Sequence, residues 1–396
     1  MDILGVLNFA LSVVIGLIIL VVLVAVHELG HGIVARRNGV VVEEFGIGFP
    51  PFAWGKKIKN SILGKNVLFS LNWLPLGGFV KLQGENDSAT SKGDYGSVSF
   101  WSKTKILLAG VLMNWLIAAG LFSIMAFTSG LPKLIPNQFI VQNDVVINAI
   151  PVKLAEVGPN LPAQKAGLKQ GDQVVKIAGL DVLSPSDVSQ ISLDNAGKIV
   201  EIEFIRDGQS NITPVAIRSD NSDKKGYLGV MMFQEKPTTY RSSWSAPIVG
   251  VVMTGQLTTF TLSSLGDTFA NFVTGLVNSI SLNSQTREKG NVEIGKVGDS
   301  VGGPIALLGI LFPSAREAGI SSLILTTALV SLTLAVINIL PIPGLDGGRW
   351  FVTLIYRKIL NKPLSKDQEE KINGTGMLIL FGLIILVTIS DVTKLV

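Results

Sequence analysis

The stretch from Ile3 to Val26 is apolar at nearly every position, with only Asn8 and Ser12 as polar side chains. The run continues through "HELGHGIVARR" to Arg36-Arg37. Crossing a bilayer takes about 20 apolar residues, so a helix here crosses with length to spare. A cleaved signal peptide would want a basic start and an apolar core of about 7–15 residues, and this stretch has neither. Composition agrees with a membrane protein: 16% of residues are charged, against about 25% in soluble domains, and mean hydropathy is +0.48. A net charge of +4 is too mild to argue for nucleic acid. There is no cysteine, which excludes disulfides and thiolate-held zinc.

Hydropathy expects further spans at 106–127, about 323–340 and 377–389, the last free to begin at Gly374. Arg36, Arg37, Lys56, Lys57, Lys59 and Lys65 fall between the first and second. Arg349, Arg357, Lys358, Lys362, Lys366 and Lys371 fall between the third and fourth. Basic loops stay cytoplasmic. Both termini and the long middle segment are then expected outside. Residues 39–101 alternate like β structure, and a β-rich loop at the membrane or a plain cytoplasmic hairpin both fit. Residues 131–238 read as a small β-rich domain.

The expected architecture is an α-helical polytopic membrane protein of about four transmembrane helices with a membrane-associated β-loop and an extracytoplasmic β-rich domain. Its expected boundaries are 1–38 for the first helix, 39–102 for the β-loop, 103–130 for the second helix and 131–238 for the β-rich domain. They continue as 239–318 for an amphipathic helical region, 319–360 for the third helix with its following motif, and 372–393 for the fourth. In 239–318, Gln256, Thr258, Thr259 and Asp267 interrupt an otherwise apolar stretch. Helices lying on the membrane or under the β domain are expected there, with a fifth span as the alternative.

The only two histidines, His27 and His31, are four apart on the first helix and share a face. Glu28 lies about 100° round from His27. Two neutral imidazoles can bind Zn²⁺, and the adjacent carboxylate can take a proton from its water. Ionisable groups inside a span are costly and usually functional. A third ligand has to come from an acid or a weaker donor. Asp346, in "NILPIPGLDGGRW" after the third span, is the candidate. Pro341 and Pro343 end the helix, and Gly344, Gly347 and Gly348 let the chain fold back. Irregular backbone survives at membrane depth where it lines a cavity. A plain turn with a capping Asp is the other reading.

HExxH in the first span and NxxPxPxLDGG after a later one together resemble the site-2 protease family of intramembrane zinc metalloproteases. "HELGHGIVARRNGVVVEEFGIGFPP" is similar to that family's first-span block, and "PLGGFVKLQGE" to its membrane-associated β-loop. "PAQKAGLKQGDQVVKIAG" (162–179) looks like the carboxylate loop and Gly-Asp turn of a PDZ domain, and "VGGPIAL" (301–307) resembles a segment before the third span. The branch most resembled is the bacterial regulator-of-sigma-factor protease with an extracytoplasmic PDZ insertion.

The resemblance implies His27, His31 and Asp346 as zinc ligands and Glu28 as general base and acid. It implies Asn338 at the substrate strand or oxyanion, and Gly77, Gly78 and Phe79 on the strand that receives the substrate. Asn114 corresponds to a family Asn, although Gly110-Val111-Leu112-Met113-Asn114 lacks the usual Pro. Many relatives carry two PDZ domains, and one copy is visible here.

The function so implied is cleavage of membrane-spanning segments of single-span proteins, anti-sigma factors and signal-peptide remnants among them. The setting is the bacterial inner membrane, with lipid and membrane proteins as partners, no nucleic acid, and oligomeric state open. The PDZ domain is read either as a binder of new C-termini, as a filter against uncut substrates, or as a spacer. A zinc transporter or sensor, which would not need Glu28, and an inactive scaffold, which would not need the ligands, are the rivals.

Overall fold

The computed structural model describes residues 3–135, 137–223, 225–281, 283–290, 292 and 303–395. The chain divides into two compact units, Met1–Ser123 with Gly250–Val396, and Ile124–Val249.

The first unit is built on long apolar helices. Helix α1 (Ile3–Arg37) has 35 residues, about 50 Å of rise, and closes on two arginines that suit its negative end. Helix α2 covers Phe100–Phe127. Between them, β1 (Val42–Ser61) and β2 (Gly64–Leu82) form an antiparallel pair that folds back on itself. Residues 54–61 pair with 64–71, and 42–47 pair both with 68–71 and with 78–82. The strand runs therefore lie in the order 54–61, 64–71, 42–47, 78–82, with 54–61 and 78–82 at the two edges. The inner face of this sheet buries Val42, Phe45, Leu63 and Val67 against Ala35 and Ile106. Gly32 is the point of closest approach, since a methyl there would meet Leu63 at 2.8 Å.

In the second unit, β3 (Leu131–Pro132), β11 (Thr239–Ser242) and β4 (Val145–Asn148) make a small sheet. A larger sheet runs β10 (Val230–Phe233), β5 (Val152–Val157), β6 (Gln173–Ile177), β8 (Ile199–Arg206) and β9 (Gln209–Ala216), with β7 (Leu180–Asp181) beside β6. Helix α3 (Pro185–Asp194) is capped by the Ser184 hydroxyl and buries Val188 and Ile191 in the core with Val174, Ile202 and Phe204. The Gly-Asp turn is fixed by Arg206, whose guanidinium meets both oxygens of Asp172 at 2.7 Å. A cavity of about 530 Å³ opens between α3 and β10, lined by Ser189, Gln190, Leu193, Tyr227 and Met232 among others. None of residues 162–179, expected to supply a carboxylate loop, lines it.

Back in the first unit, α4 (Ala246–Ser279) is one continuous helix of 34 residues. Of the polar positions that argued against a span, Thr258 is satisfied inside the protein, while Thr259 and Asp267 are exposed. The Thr254 hydroxyl donates to Gly250 O at 2.7 Å, and Trp115 Nε1 donates to the Thr258 hydroxyl at 3.1 Å. Gly250 lies at Ala119 and Thr258 at Trp115, so α4 runs antiparallel to α2. After it, beyond Pro304–Ala306, a π-helical turn Leu307–Leu311 and Phe312–Glu317 pack on α1, with Phe312 filling the space over Gly16. Of "VGGPIAL", Val301 and Gly302 lie outside the described residues.

Helix α5 (Ile320–Ile339) leads to the break at Pro341 and Pro343, α6 (Asp346–Leu354) follows, and α7 (Lys366–Leu395) ends the chain. Asp391 of α7 accepts from the N–H groups of Gly303 and Ala306 at 3.1 and 2.9 Å. By length and composition, 5 helices among the described residues can cross a membrane: α1, α2, α4, α5 and α7. Four of them are the expected spans, and α4 is the stretch expected to lie on the surface.

Candidate metal centre and active site

The site forms where α1, α2, the sheet edge and α6 meet. His27 and His31 project from one face of α1, one turn apart, and both are buried. Helix α2 comes close at two glycines. A methyl on Gly110 would sit 2.5 Å from His31 Nε2 and 2.6 Å from His27 Nε2, and a methyl on Gly30 would sit 2.7 Å from Ala109 O. Glycine at 110 thus leaves the space that the imidazole nitrogens face.

Asp346 reaches the same point from the break after α5. Gly344 has φ +97°, and a methyl on Gly347 would strike Ile339 and Leu340 backbone. Only a chain with glycine at both positions folds back this sharply. Asp346 Oδ2 lies 2.9 Å from His27 Nε2 and 3.1 Å from His31 Nε2, and the two Nε2 atoms are 3.1 Å apart. Ligands at about 2.0–2.1 Å in tetrahedral array are separated by about 3.3 Å, so the three atoms are spaced as a zinc triad requires.

The chemistry of the donors fits a cation at their centre. His31 Nδ1 lies 2.7 Å from Ile106 O, and a carbonyl can only accept, so the Nδ1 proton is directed there. In the neutral ring that leaves a lone pair on Nε2, facing a carboxylate. Asn114 is buried behind His27, with Nδ2 at 3.4 Å from Nδ1 and with Oδ1 lacking any hydrogen-bond partner. Turning the amide over, a choice that heavy-atom positions leave open, brings Oδ1 to Nδ1 and frees Nε2 of His27 in the same way.

Glu28 completes the set with His27 and His31, their donor atoms lying within 4.8 Å of one another. Glu28 Oε2 accepts from the N–H of Val80 at 3.1 Å. That N–H belongs to the sheet edge 78–82 and points away from its partner run 42–47. Leu82 N–H, the next outward donor, goes to Glu85 at 2.8 Å. Gly78 passes beside Glu28, where a methyl would lie 3.8 Å from its Cγ. Phe79, Val80, Tyr95 and Arg349 line a cavity of about 400 Å³ with Glu28, His31 and Asp346.

The expected site residues therefore divide. His27, Glu28, His31, Asp346, Gly78 and Phe79 come together. Gly77, with φ +83°, stands beside Phe49 at the turn into that edge. Asn114 stands behind His27, 1% exposed, with no access to a substrate. Asn338 is half-buried near the end of α5, with no hydrogen bond to the triad. Val80, Tyr95 and Arg349 were not anticipated. Arg349 alone carried a signal, since it falls three residues after Asp346 on the same helix face.

The profile of peptidase family M50 matches residues 15–383. The chain belongs to that family. A protein of Clostridium perfringens named as a zinc metalloprotease is 31% identical over 371 residues, covering 93% of this chain and 95% of its own. Another of that name, from Clostridium acetobutylicum, is 29% identical over 382 residues, covering 96% and 97%. The regulator of sigma-W protease RasP of Bacillus subtilis is 23% identical over 471 residues, covering 98% and 99%. As a site-2 protease of family M50, the protein is a membrane metalloprotease, its cofactor is zinc, and its substrates are membrane proteins.

Proposed function

We propose that the protein cuts a peptide bond within the spanning segment of a single-span membrane protein, with zinc held by His27, His31 and Asp346. The observation that carries this reading is the meeting of three convergent acceptor atoms, the Glu28 carboxylate and a sheet edge at one cavity. Bound zinc supplies Lewis acidity, making water acidic near neutral pH and polarising a carbonyl. Glu28 takes the proton from that water and passes it to the leaving nitrogen. Ile106 O and Asn114 hold the two rings in orientation. The outward N–H groups of Gly78 and Val80 take carbonyls of an unwound substrate, which adds as a strand. A substrate still coiled as a helix keeps its carbonyls in internal hydrogen bonds and cannot use these donors.

The topology we propose puts residues 39–102 and the turn after α5 on the cytoplasmic side, with both termini and the second unit outside. α5 then runs inward to Asp346, and α7 runs outward to Asp391. α4, antiparallel to α2, starts inward from outside. The second unit is a PDZ-like domain whose groove between α3 and β10 takes the C-terminal tail of a substrate already cut outside, by strand addition to β10. Anti-sigma factors and signal-peptide remnants fit this scheme.

The test is cleavage of a membrane-spanning reporter by the wild type and by Glu28→Gln. Wild type cleaves, the variant loses about 10²–10⁴-fold, and both keep their zinc. Equal processing by the two proteins would sink the assignment of Glu28.

A further inference from the structure

The sheet of the first unit has a second edge, and its chemistry is unlike the first. Run 54–61 pairs only with 64–71 among the described residues. Along it the side chains pass from aromatic to basic. Phe52 and Trp54 are 56% and 64% exposed, and Lys56, Lys57 and Lys59 follow, all exposed. The neighbouring run repeats the order in reverse, with exposed Lys65 opposite Asn60 and Trp73, 72% exposed, just beyond Leu71, which pairs with Trp54. The aromatics form one band across both runs and the lysines a second, about 7–20 Å further along.

The lysine band is tied to the end of α1. Arg36 donates to Ser61 O at 2.8 Å and Ile62 O at 2.6 Å, so the turn sits beside exposed Arg36 and Arg37. No Asp or Glu occurs from residue 45 to 84. Among the described residues, none of Lys56, Lys57, Lys59 and Lys65 enters a salt bridge.

Tryptophan settles at the boundary between headgroups and acyl chains, and lysine ammonium groups just outside it meet phosphates. Basic clusters next to a spanning helix attract anionic lipid. We infer that this edge is a binding surface for anionic phospholipid headgroups, with Lys56, Lys57, Lys59 and Lys65 on the phosphates and Trp54 and Trp73 at the acyl boundary. Choline headgroups cancel the phosphate charge, and a free phosphate offers nothing to the tryptophans. The surface requires only that the first unit lies in a membrane, and it stands whether or not Glu28 is the base. Its consequence for the site is mechanical, since the lipid-bound edge and the edge at Glu28 belong to one hydrogen-bonded sheet.

Lysines on an edge strand can also serve merely to discourage sheet-to-sheet pairing, a role indifferent to lipid charge. The absence of native cysteine allows a clean test. Full-length, zinc-loaded Asn60→Cys carries one environment-sensitive fluorophore in phosphatidylcholine bicelles, and phosphatidylglycerol is titrated in. The expected response saturates, weakens with salt, and is absent with glycerol phosphate. Adding Lys56→Gln, Lys57→Gln, Lys59→Gln and Lys65→Gln shifts the midpoint upward by about fivefold per lysine. An equal response to extra phosphatidylcholine, or an unshifted midpoint in the folded, zinc-retaining variant, overturns the inference. A response to glycerol phosphate alone replaces it with a free-anion site. Should the variant fail to fold, the salt and headgroup dependence of the parent decides.

Discussion

Two carboxylates of the first unit, buried Asp87 and half-buried Asp346, lie in opposite electrostatic settings. Asp87 is met by donors on every side. Lys103 Nζ and Arg357 Nε bind its two oxygens, the latter at 2.7 Å, and Leu364 N–H adds a bond at 2.9 Å. Its own N–H goes to Glu369 at 2.8 Å. Asp346 faces two imidazole nitrogens whose lone pairs the surrounding hydrogen bonds direct inward. The first group is a finished joint between the loop after β2, α2 and the chain entering α7. The second is complete only with a cation. An enclosed acid whose partners are all donors marks structure, and a partly enclosed one whose partners are themselves acceptors marks chemistry.

Exchanging one carboxylate at a time puts that contrast at risk. Asp346→Ala is expected to lose cleavage by more than about 10³-fold and to lose zinc, with the fold kept; full zinc content by metal analysis would break the contrast. Asp87→Asn is expected to do the reverse. It leaves Lys103 buried at 1% exposure without its counter-charge, and the loss of stability should be about 3–5 kcal/mol in a denaturation series, with zinc per folded molecule unchanged. Asn114→Ala tests whether a residue behind the ring belongs to the metal site. A fall in zinc affinity of about 10–100-fold, read by competition with a chelator dye, is expected, and no change would return Asn114 to a packing role.

The smallest effect is the acid limb. Burial pushes the Asp87 carboxyl up, but the Lys103, Leu364 and Arg357 hydrogen bonds outweigh it and hold the group below its ordinary value. A lowered carboxylate stabilises the fold fully above the unfolded pKa of about 3.9, and that contribution fades as pH falls through the lower folded value. The Asp87→Asn protein should lack this limb, while Asp346→Ala should keep it.

The sequence made some of this legible and concealed the rest for physical reasons. His27, Glu28 and His31 were readable because helical spacing alone brings them together. Asp346 was readable because Pro341, Pro343 and three glycines announce a fold-back beside it. The spans at α1, α2, α5 and α7 follow from hydropathy. That 246–279 forms one continuous helix was not legible, because Thr254 and Thr258 look like interruptions in sequence, while in the fold they spend their hydroxyls on the helix backbone and Thr258 also accepts from Trp115. Val80 was invisible because its part is played by a backbone N–H, the same in every residue but proline. Asp87 looked like one more polar loop residue, since its partners Lys103, Arg357 and Leu364 lie far along the chain.

The Val80 N–H that now satisfies Glu28 is the same donor an added substrate strand would claim. A single proton cannot serve both acceptors, so strand capture and release of the carboxylate are linked, and linkage is reciprocal. Whatever the resting bond contributes is subtracted from substrate affinity, and a docked strand loosens Glu28 by the same amount. An enzyme surrounded by hundreds of neighbouring helices gains from such an arrangement. On the proposed reading, Glu28 would be held against its own backbone until an unwound segment claimed the Val80 N–H.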